Sequence, residues 1–243
     1  MSEINLCIVA GTHGDEYEFG RMVHKEVESQ SGENVALLIA NTQAIQKGVR
    51  FIDTDLNRSF GSETLDAANS YEVGIAAYIK DIFKSEGLTH VIDIHTSPTT
   101  HGIVPIIPGE CLGNRTQDVM DILSVSREAV IIPYSNDPTS LVGSFGNGGI
   151  GLECPRYNYA KNAIRVASNI VKLLQQKDDN VSVSSNISIY DVVSTVPIDQ
   201  NLEGDIPDFT YDPDFAGYHF VTAPSIYKKY PGYTSQGMIV RRR

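Results

Sequence analysis

The chain has 243 residues, 41% of them apolar and 20% charged, with a formal net charge of −11. That length allows one large domain, or a domain with a small appendage, around a well-buried core. The acidic balance excludes nucleic acid as a general partner, because phosphate binding needs a basic face. No apolar run approaches the ~20 residues of a membrane-spanning helix, so no membrane partner is expected.

Cys7, Cys111 and Cys154 are scattered and odd in number, which argues for free thiols in a reducing cytoplasm over a disulfide framework. The segment up to Ala10 has no basic stretch and no small-residue cleavage site, so no signal peptide is expected. The one basic cluster, Arg241-Arg242-Arg243, reads as a solvated tail.

In chain order, Ile4 to Ala10 is an apolar strand that breaks at Gly11. Asp15 to Ser29 carries Phe19, Met22, Val23 and Val27 at helical spacing. Val35 to Ala40 predicts a second strand, and Ser62 to Ser85 a long helix. Thr89 to Ile94 predicts a strand ending at His95. Ile103 to Ile107, Ala129 to Pro133 and Ile150 to Glu153 predict three more strands. Tyr157 to Gln176 predicts a second long helix, with Ala160, Ala163, Ile164, Ala167, Ile170, Val171 and Leu174 on one face.

Strands alternate with helices to about residue 177, the pattern of an α/β three-layer sandwich around a mixed, largely parallel sheet. Gln175 to Asn186 is polar and reads as a linker. Beyond it, short β-like runs (Ile187 to Val196, Tyr218 to Thr222, Met238 to Val240) lie between Pro/Gly/Asp-rich turns. The expected organisation is a catalytic domain over residues 1–180 and a small β-rich C-terminal domain over 181–243.

Four segments carry chemistry. The first, GTHGDE at 11–16, places His13 and Glu16 three apart in a glycine-bracketed loop after a strand. Both side chains are zinc-ligand types, and the glycines allow a tight turn with room for a metal. The second, VIDIHTS at 91–97, puts His95 at the carboxyl end of a strand, where open α/β sheets bind ligands. Asp93, two residues earlier on the same strand face, is placed to orient that imidazole.

The third, GVRFIDTDLNRSF at 48–60, offers Arg50, Asn57 and Arg58, arginine being suited to bidentate pairing with a carboxylate. Asp53, Asp55 and Asn57 alternate as at the start of a calcium loop, but Arg58 and Thr64 stand where Gly and Glu are needed, which excludes calcium. The fourth, GIGLECPRYN at 149–158, ends a strand with Glu153, a candidate general base. Gly146, Gly148 and Gly151 match a dinucleotide-binding spacing, but precede a strand instead of following one, so no nucleotide is expected.

Taken in order, GTHGDE, RFIDTDLNRSF, DIH and LE resemble the aspartoacylase and succinylglutamate desuccinylase family, relatives of the zinc carboxypeptidases. The resemblance covers most of the first 180 residues. It implies a zinc carboxypeptidase-like fold and one zinc ion held by His13, Glu16 and His95 with a water in the open position. It also implies Glu153 as general base and later proton donor, and Arg50 as the group that polarises the scissile carbonyl. Asn57 and Arg58 would hold a substrate carboxylate, and Tyr227 would reach the cleft from the C-terminal region.

The implied activity is hydrolysis of a linear amide in a small anionic N-acyl amino acid. Two departures bear on the substrate. Cys154-Pro155-Arg156 follows Glu153 where aspartoacylases have Val-Gly-Pro. No arginine lies between Arg127 and Arg156, where aspartoacylases carry the one that binds a second carboxylate. Two other readings stand beside deacylation: a carboxypeptidase-like peptidase, distinguished by an open cleft, and a non-catalytic metal- or ligand-binding relative, which would have no reason to keep Glu153 and Arg50. The sequence leaves the oligomeric state open, a homo-oligomer included.

Overall fold

The computed structural model describes residues 5–31, 35–61, 70–100, 102–108, 128–132, 139–146, 148–155, 164, 188–197, 204–230 and 236–242. The first strand, β1 (Leu6–Ala10), is buried along its whole length, as expected of a parallel strand covered on both faces. A 3-10 turn (Gly14–Glu16) leads into α1 (Tyr17–Ser31). Then come β2 (Ala36–Ile39), α2 (Thr42–Lys47), a second 3-10 turn (Leu56–Arg58) and α3 (Tyr71–Ser85).

The strands β3 (His90–Ser97), β4 (Val104–Pro108), β5 (Glu128–Ile132) and β6 (Gly149–Pro155) follow, with the short α4 (Leu141–Phe145) before β6. The C-terminal part holds β7 (Ser188–Pro197), β8 (Tyr211–Asp212), β9 (Gly217–Phe220), α5 (Pro224–Tyr227) and β10 (Gln236–Arg242).

The ten strands among the described residues form one sheet, in the order β2-β1-β3-β6-β4-β5-β7-β10-β9-β8. The β2-β1-β3-β6 block is parallel, as is the β4-β5-β7 block; the two blocks meet antiparallel at β6 and β4. From β7 outwards the pairing is antiparallel. The expected α/β class with a mixed, largely parallel sheet is therefore observed, and the β-rich C-terminal strands extend that sheet through the β5–β7 pairing.

Alternation along the strands assigns the layers. On one face, Val9 and Val91 pack with Ala76, Ile79 and Phe83 of α3 and with Leu141 and Val142 of α4. On the other face, α1 approaches so closely that a Cβ at Gly20 would stand 2.8 Å from the Ala10 Cβ and 3.7 Å from the Ile94 Cβ. A second apolar cluster joins Val104 and Ile106 of β4 to Tyr190, Phe220, Met238 and Val240 from the C-terminal strands.

Several boundaries differ from the sequence reading. Helix α1 begins at Tyr17, after the 3-10 turn, because Gly14–Glu16 is held to other parts of the chain. Strand β3 continues past His95 to Ser97, because its parallel ladder with β6 extends to Thr96–Cys154 and Ser97–Pro155. Helix α2 is capped by Asn41, whose side chain accepts from the Ala44 N–H, and ends at Gly48 in the left-handed region; local capping specifies it despite its short length. The expected helical segment over 62–69, the helix Tyr157–Gln176 apart from residue 164, the linker 175–186 and Arg156 lie outside the described residues.

Candidate active site

β2 lies on one side of β1 and β3 on the other, so the carboxyl ends of β1 and β3 border a point where strand order reverses, the usual place for a ligand in such sheets. The loop leaving β1 is built for close approach. A Cβ on Gly14 would overlap the backbone of Ala44, Ile45 and Val49. The Gly14 N–H donates to the Arg50 carbonyl at 3.0 Å, and the Asn41 N–H to the Gly11 carbonyl at 2.9 Å. The loop bearing His13 and Glu16 is thereby fastened to α2 and to the Arg50 segment.

His13, Glu16 and His95 converge, buried to 4% exposure each. The Nδ1 atoms of the two imidazoles are 3.2 Å apart, and each lies 3.3 Å from a different oxygen of Glu16. The outer nitrogens are taken: His13 Nε2 meets Asp55 Oδ1 at 2.9 Å and His95 Nε2 meets Asp93 Oδ2 at 2.7 Å. Those carboxylates are anchored in turn, Asp93 by the Thr12 hydroxyl at 2.7 Å and Asp55 by the Asn57 N–H at 2.8 Å.

Carboxylates at Nε2 place the ring proton there and turn the Nδ1 lone pairs inwards. Three acceptors then face one another, an arrangement that requires positive charge at their centre. Bonds of ~2.0–2.2 Å to a tetrahedral ion would separate its ligands by roughly 3.3–3.6 Å, close to the observed 3.2 and 3.3 Å. The donor set therefore fits a metal such as zinc.

The electrostatics point the same way. Burial disfavours charge on His13 and His95, yet the Asp55 and Glu16 carboxylates around His13, and Asp93 and Glu16 around His95, raise both pKa values. Burial alone would raise the Glu16 carboxyl, but the imidazoles and Arg50 hold it well below the carboxylate range. Glu16 also accepts from Arg50 Nη1 and from the Thr96 N–H, both at 2.8 Å.

The remaining expected residues line the same cleft. Glu153 sits across from His95 in the β3–β6 ladder; burial pushes its carboxyl up to about 7. The Arg50 guanidinium, besides binding Glu16, donates to Tyr227 Oη at 3.4 Å and stands 5.3 Å from that ring's centre. Asn57 Oδ1 accepts from the Leu141 N–H at 3.0 Å, and Arg58 Nη1 donates to the Asn57 carbonyl at 2.7 Å. Tyr227 is buried, on α5.

The structure adds residues that sequence reading did not assign. Asp55 is one; it belonged to the aspartate alternation considered only for calcium. Tyr230 is another, its hydroxyl accepting from the Arg50 N–H at 2.7 Å while its ring stacks on Phe51. The third, Glu72, is fully buried and has no local motif to announce it. Its carboxylate accepts from the N–H groups of Ile52, Asp53 and Thr54 at 2.7 to 3.2 Å and from Asn41 Nδ2 at 3.1 Å. In return, Asp53 accepts from the Tyr71 N–H at 2.9 Å. This exchange moulds the stretch between Arg50 and Asp55 against the start of α3.

The profile of the succinylglutamate desuccinylase/aspartoacylase catalytic domain matches residues 2–171. The chain belongs to that family. Among members, an aspartoacylase of Xenopus tropicalis is 36% identical over 115 residues, covering 42% of this chain and 37% of that protein. A probable aspartoacylase of a Nostoc species is 28% identical over 235 residues, covering 85% and 77%. The first of these alignments thus spans well under two thirds of its relative's length.

Solved structures that share the fold include the following two. A point mutant of murine aminoacylase 3 superposes with a TM-score of 0.73 at 17% identity, over 100% of this chain and 96% of that one. A succinylglutamate desuccinylase from Chromobacterium violaceum gives 0.75 at 17% identity, over 99% and 85%.

If the trio holds zinc, Asp93→Asn and Asp55→Asn each lower its affinity by roughly 10–100-fold by removing the carboxylate that orients one of the two imidazoles. Competition with a chromophoric chelator measures this; unchanged affinity contradicts the assignment. Glu72→Ala leaves three backbone donors unpaired, at ~1–3 kcal/mol for each that stays buried, and thermal unfolding shows a larger drop in Tm than for Glu72→Gln.

Proposed function

We propose that this chain is a zinc-dependent amidohydrolase that removes the acyl group from a small anionic N-acyl amino acid. The observation that carries the reading is the inward-facing trio of His13 Nδ1, Glu16 and His95 Nδ1 at tetrahedral separations, with Glu153 and Arg50 lining the same cleft. One zinc ion held by these three side chains would act as a Lewis acid and lower the pKa of a water towards ~7.

The chain's own residues account for the rest. Glu153 takes a proton from the attacking water and later delivers it to the leaving nitrogen, a role suited to a carboxyl whose pKa is about 7. Arg50 lies beside the trio, fixed by Glu16 and Tyr227, where its guanidinium faces negative charge developing on the carbonyl oxygen. A well-placed donor of that kind is worth roughly 3–4 kcal/mol. Arg58, with Asn57, binds the substrate carboxylate. Tyr227 closes the cleft over Arg50.

The relatives' names support deacylation: they include aspartoacylases and an N-acyl-aromatic-L-amino acid amidohydrolase of Xenopus laevis. Val221, Ala223, Ile226, Tyr227 and Met238 wall the cleft from the C-terminal side, which favours a small substrate over an extended peptide. It also supports treating 181–243 as the domain that completes the catalytic unit of residues 1–180. Cys7 and Cys154 are buried free thiols, in keeping with work in a reducing, cytoplasmic setting. Among the described residues, no helix is long and apolar enough to cross a membrane.

Glu153→Ala retains zinc at wild-type stoichiometry while kcat falls by at least about a hundredfold, in line with the contribution of a positioned acid–base group. Metal analysis and a ninhydrin assay on N-acyl amino acids measure both. Near-wild-type turnover in that variant would remove Glu153 from the mechanism.

A further inference from the structure

The cleft is lined by two unlike sets of residues. One carries charge: Arg50, Asp55 and Arg58 beside the His13–Glu16–His95 trio. The other is apolar and assembled from distant parts of the chain, with Ile106 of β4, Val142 of α4, Ile226 of α5 and Met238 of β10.

The strand registers place Ile106 one row from Glu153. Across β3, β6 and β4, His95, Glu153 and Val104 form one row, and Asp93, Gly151 and Ile106 the next. Residues in register on neighbouring strands share a face, and so do Gly151 and Glu153, two apart on β6. A Cβ at Gly151 would lie 3.3 Å from the Ile106 Cβ and 3.5 Å from Val142 Cγ2. The two side chains therefore close over bare backbone and form a continuous apolar floor one row from Glu153.

Among the described residues, a charge on that floor would have no arginine or lysine in its own row or the next. Apart from the imidazoles, the cationic side chains among the described residues lining the cleft are Arg50 and Arg58. Arg50 is engaged by Glu16 and Tyr227. A carboxylate laid on Ile106 and Val142 would instead lie near Glu153, and a buried charge without a counter-ion is costly.

We infer that the substrate is a monoanion: one carboxylate, held by Arg58, and an apolar side chain or acyl group seated on Ile106, Gly151 and Val142. The inference rests on the deacylase reading and narrows its substrate class, away from dicarboxylates such as N-acetylaspartate.

The test uses the full, zinc-loaded chain with N-acetyl-L-leucine, N-acetyl-L-phenylalanine, N-acetyl-L-aspartate and N-succinyl-L-glutamate. The expected result is a kcat/KM at least roughly tenfold higher for one or both apolar substrates than for either dicarboxylate, the scale on which apolar pockets discriminate. Val142→Arg, which brings a cation to the floor, is expected to shrink or reverse that ratio. Equal rates, or a preference for a dicarboxylate, overturn the inference and leave deacylation intact. Turnover of none of the four defeats the deacylase reading. Calorimetric titration of the Glu153→Ala protein then still decides the inference: tighter binding of N-acetylleucine supports it, and tighter binding of N-acetylaspartate overturns it.

Discussion

Two imidazole lone pairs and a carboxylate aimed at one point repel each other, and much of the surrounding structure answers that repulsion. Asp55 and Asp93 fix the rings from outside. Arg50 and the Thr96 N–H hold Glu16 from its other side. Hydrogen bonds made in a buried setting are strong when complete and costly when not, so each orienting group has an anchor of its own: Thr12 for Asp93, the Asn57 N–H for Asp55. A cation at the centre turns the mutual repulsion into coordination. Without one, protons must take its place, which is the direction in which both imidazole pKa values are displaced.

The same constraint explains how the fold distributes its parts. The three converging side chains come from the ends of two adjacent parallel strands, β1 and β3, and Glu153 from the next strand, β6. A chain with net charge −11 places two buried or half-buried arginines, Arg50 and Arg58, in this cleft and lines it further with an apolar wall. The C-terminal strands matter because they deliver Met238 to that wall, while α5 brings Tyr227 to Arg50.

What the sequence made legible follows from the range of the interactions involved. The strands β1 and β3 announce themselves by apolar runs, and His13 with Glu16 by spacing inside a glycine-bracketed turn. Arg50, Asn57, Arg58 and Glu153 were nameable because they sit in short ordered segments. Asp55 lay in plain view, but its partner His13 is 42 positions away, and only tertiary structure joins them. Glu72 carries no motif at all, since its three amide partners lie 18 to 20 residues earlier. The extension of β3 beyond His95 likewise depends on pairing with β6, not on local propensity. The apolar floor combines Ile106, Val142 and Gly151, three residues ordinary in isolation and specific only in register.

The most direct test of the proposed metal centre is the zinc content of the purified full chain, by inductively coupled plasma mass spectrometry after exposure to zinc and removal of excess metal, with His95→Ala alongside. The inward-facing trio predicts one zinc per chain in the wild type and a small fraction of that in the variant. A wild-type chain that holds no zinc, or a variant that keeps a full equivalent, would contradict it.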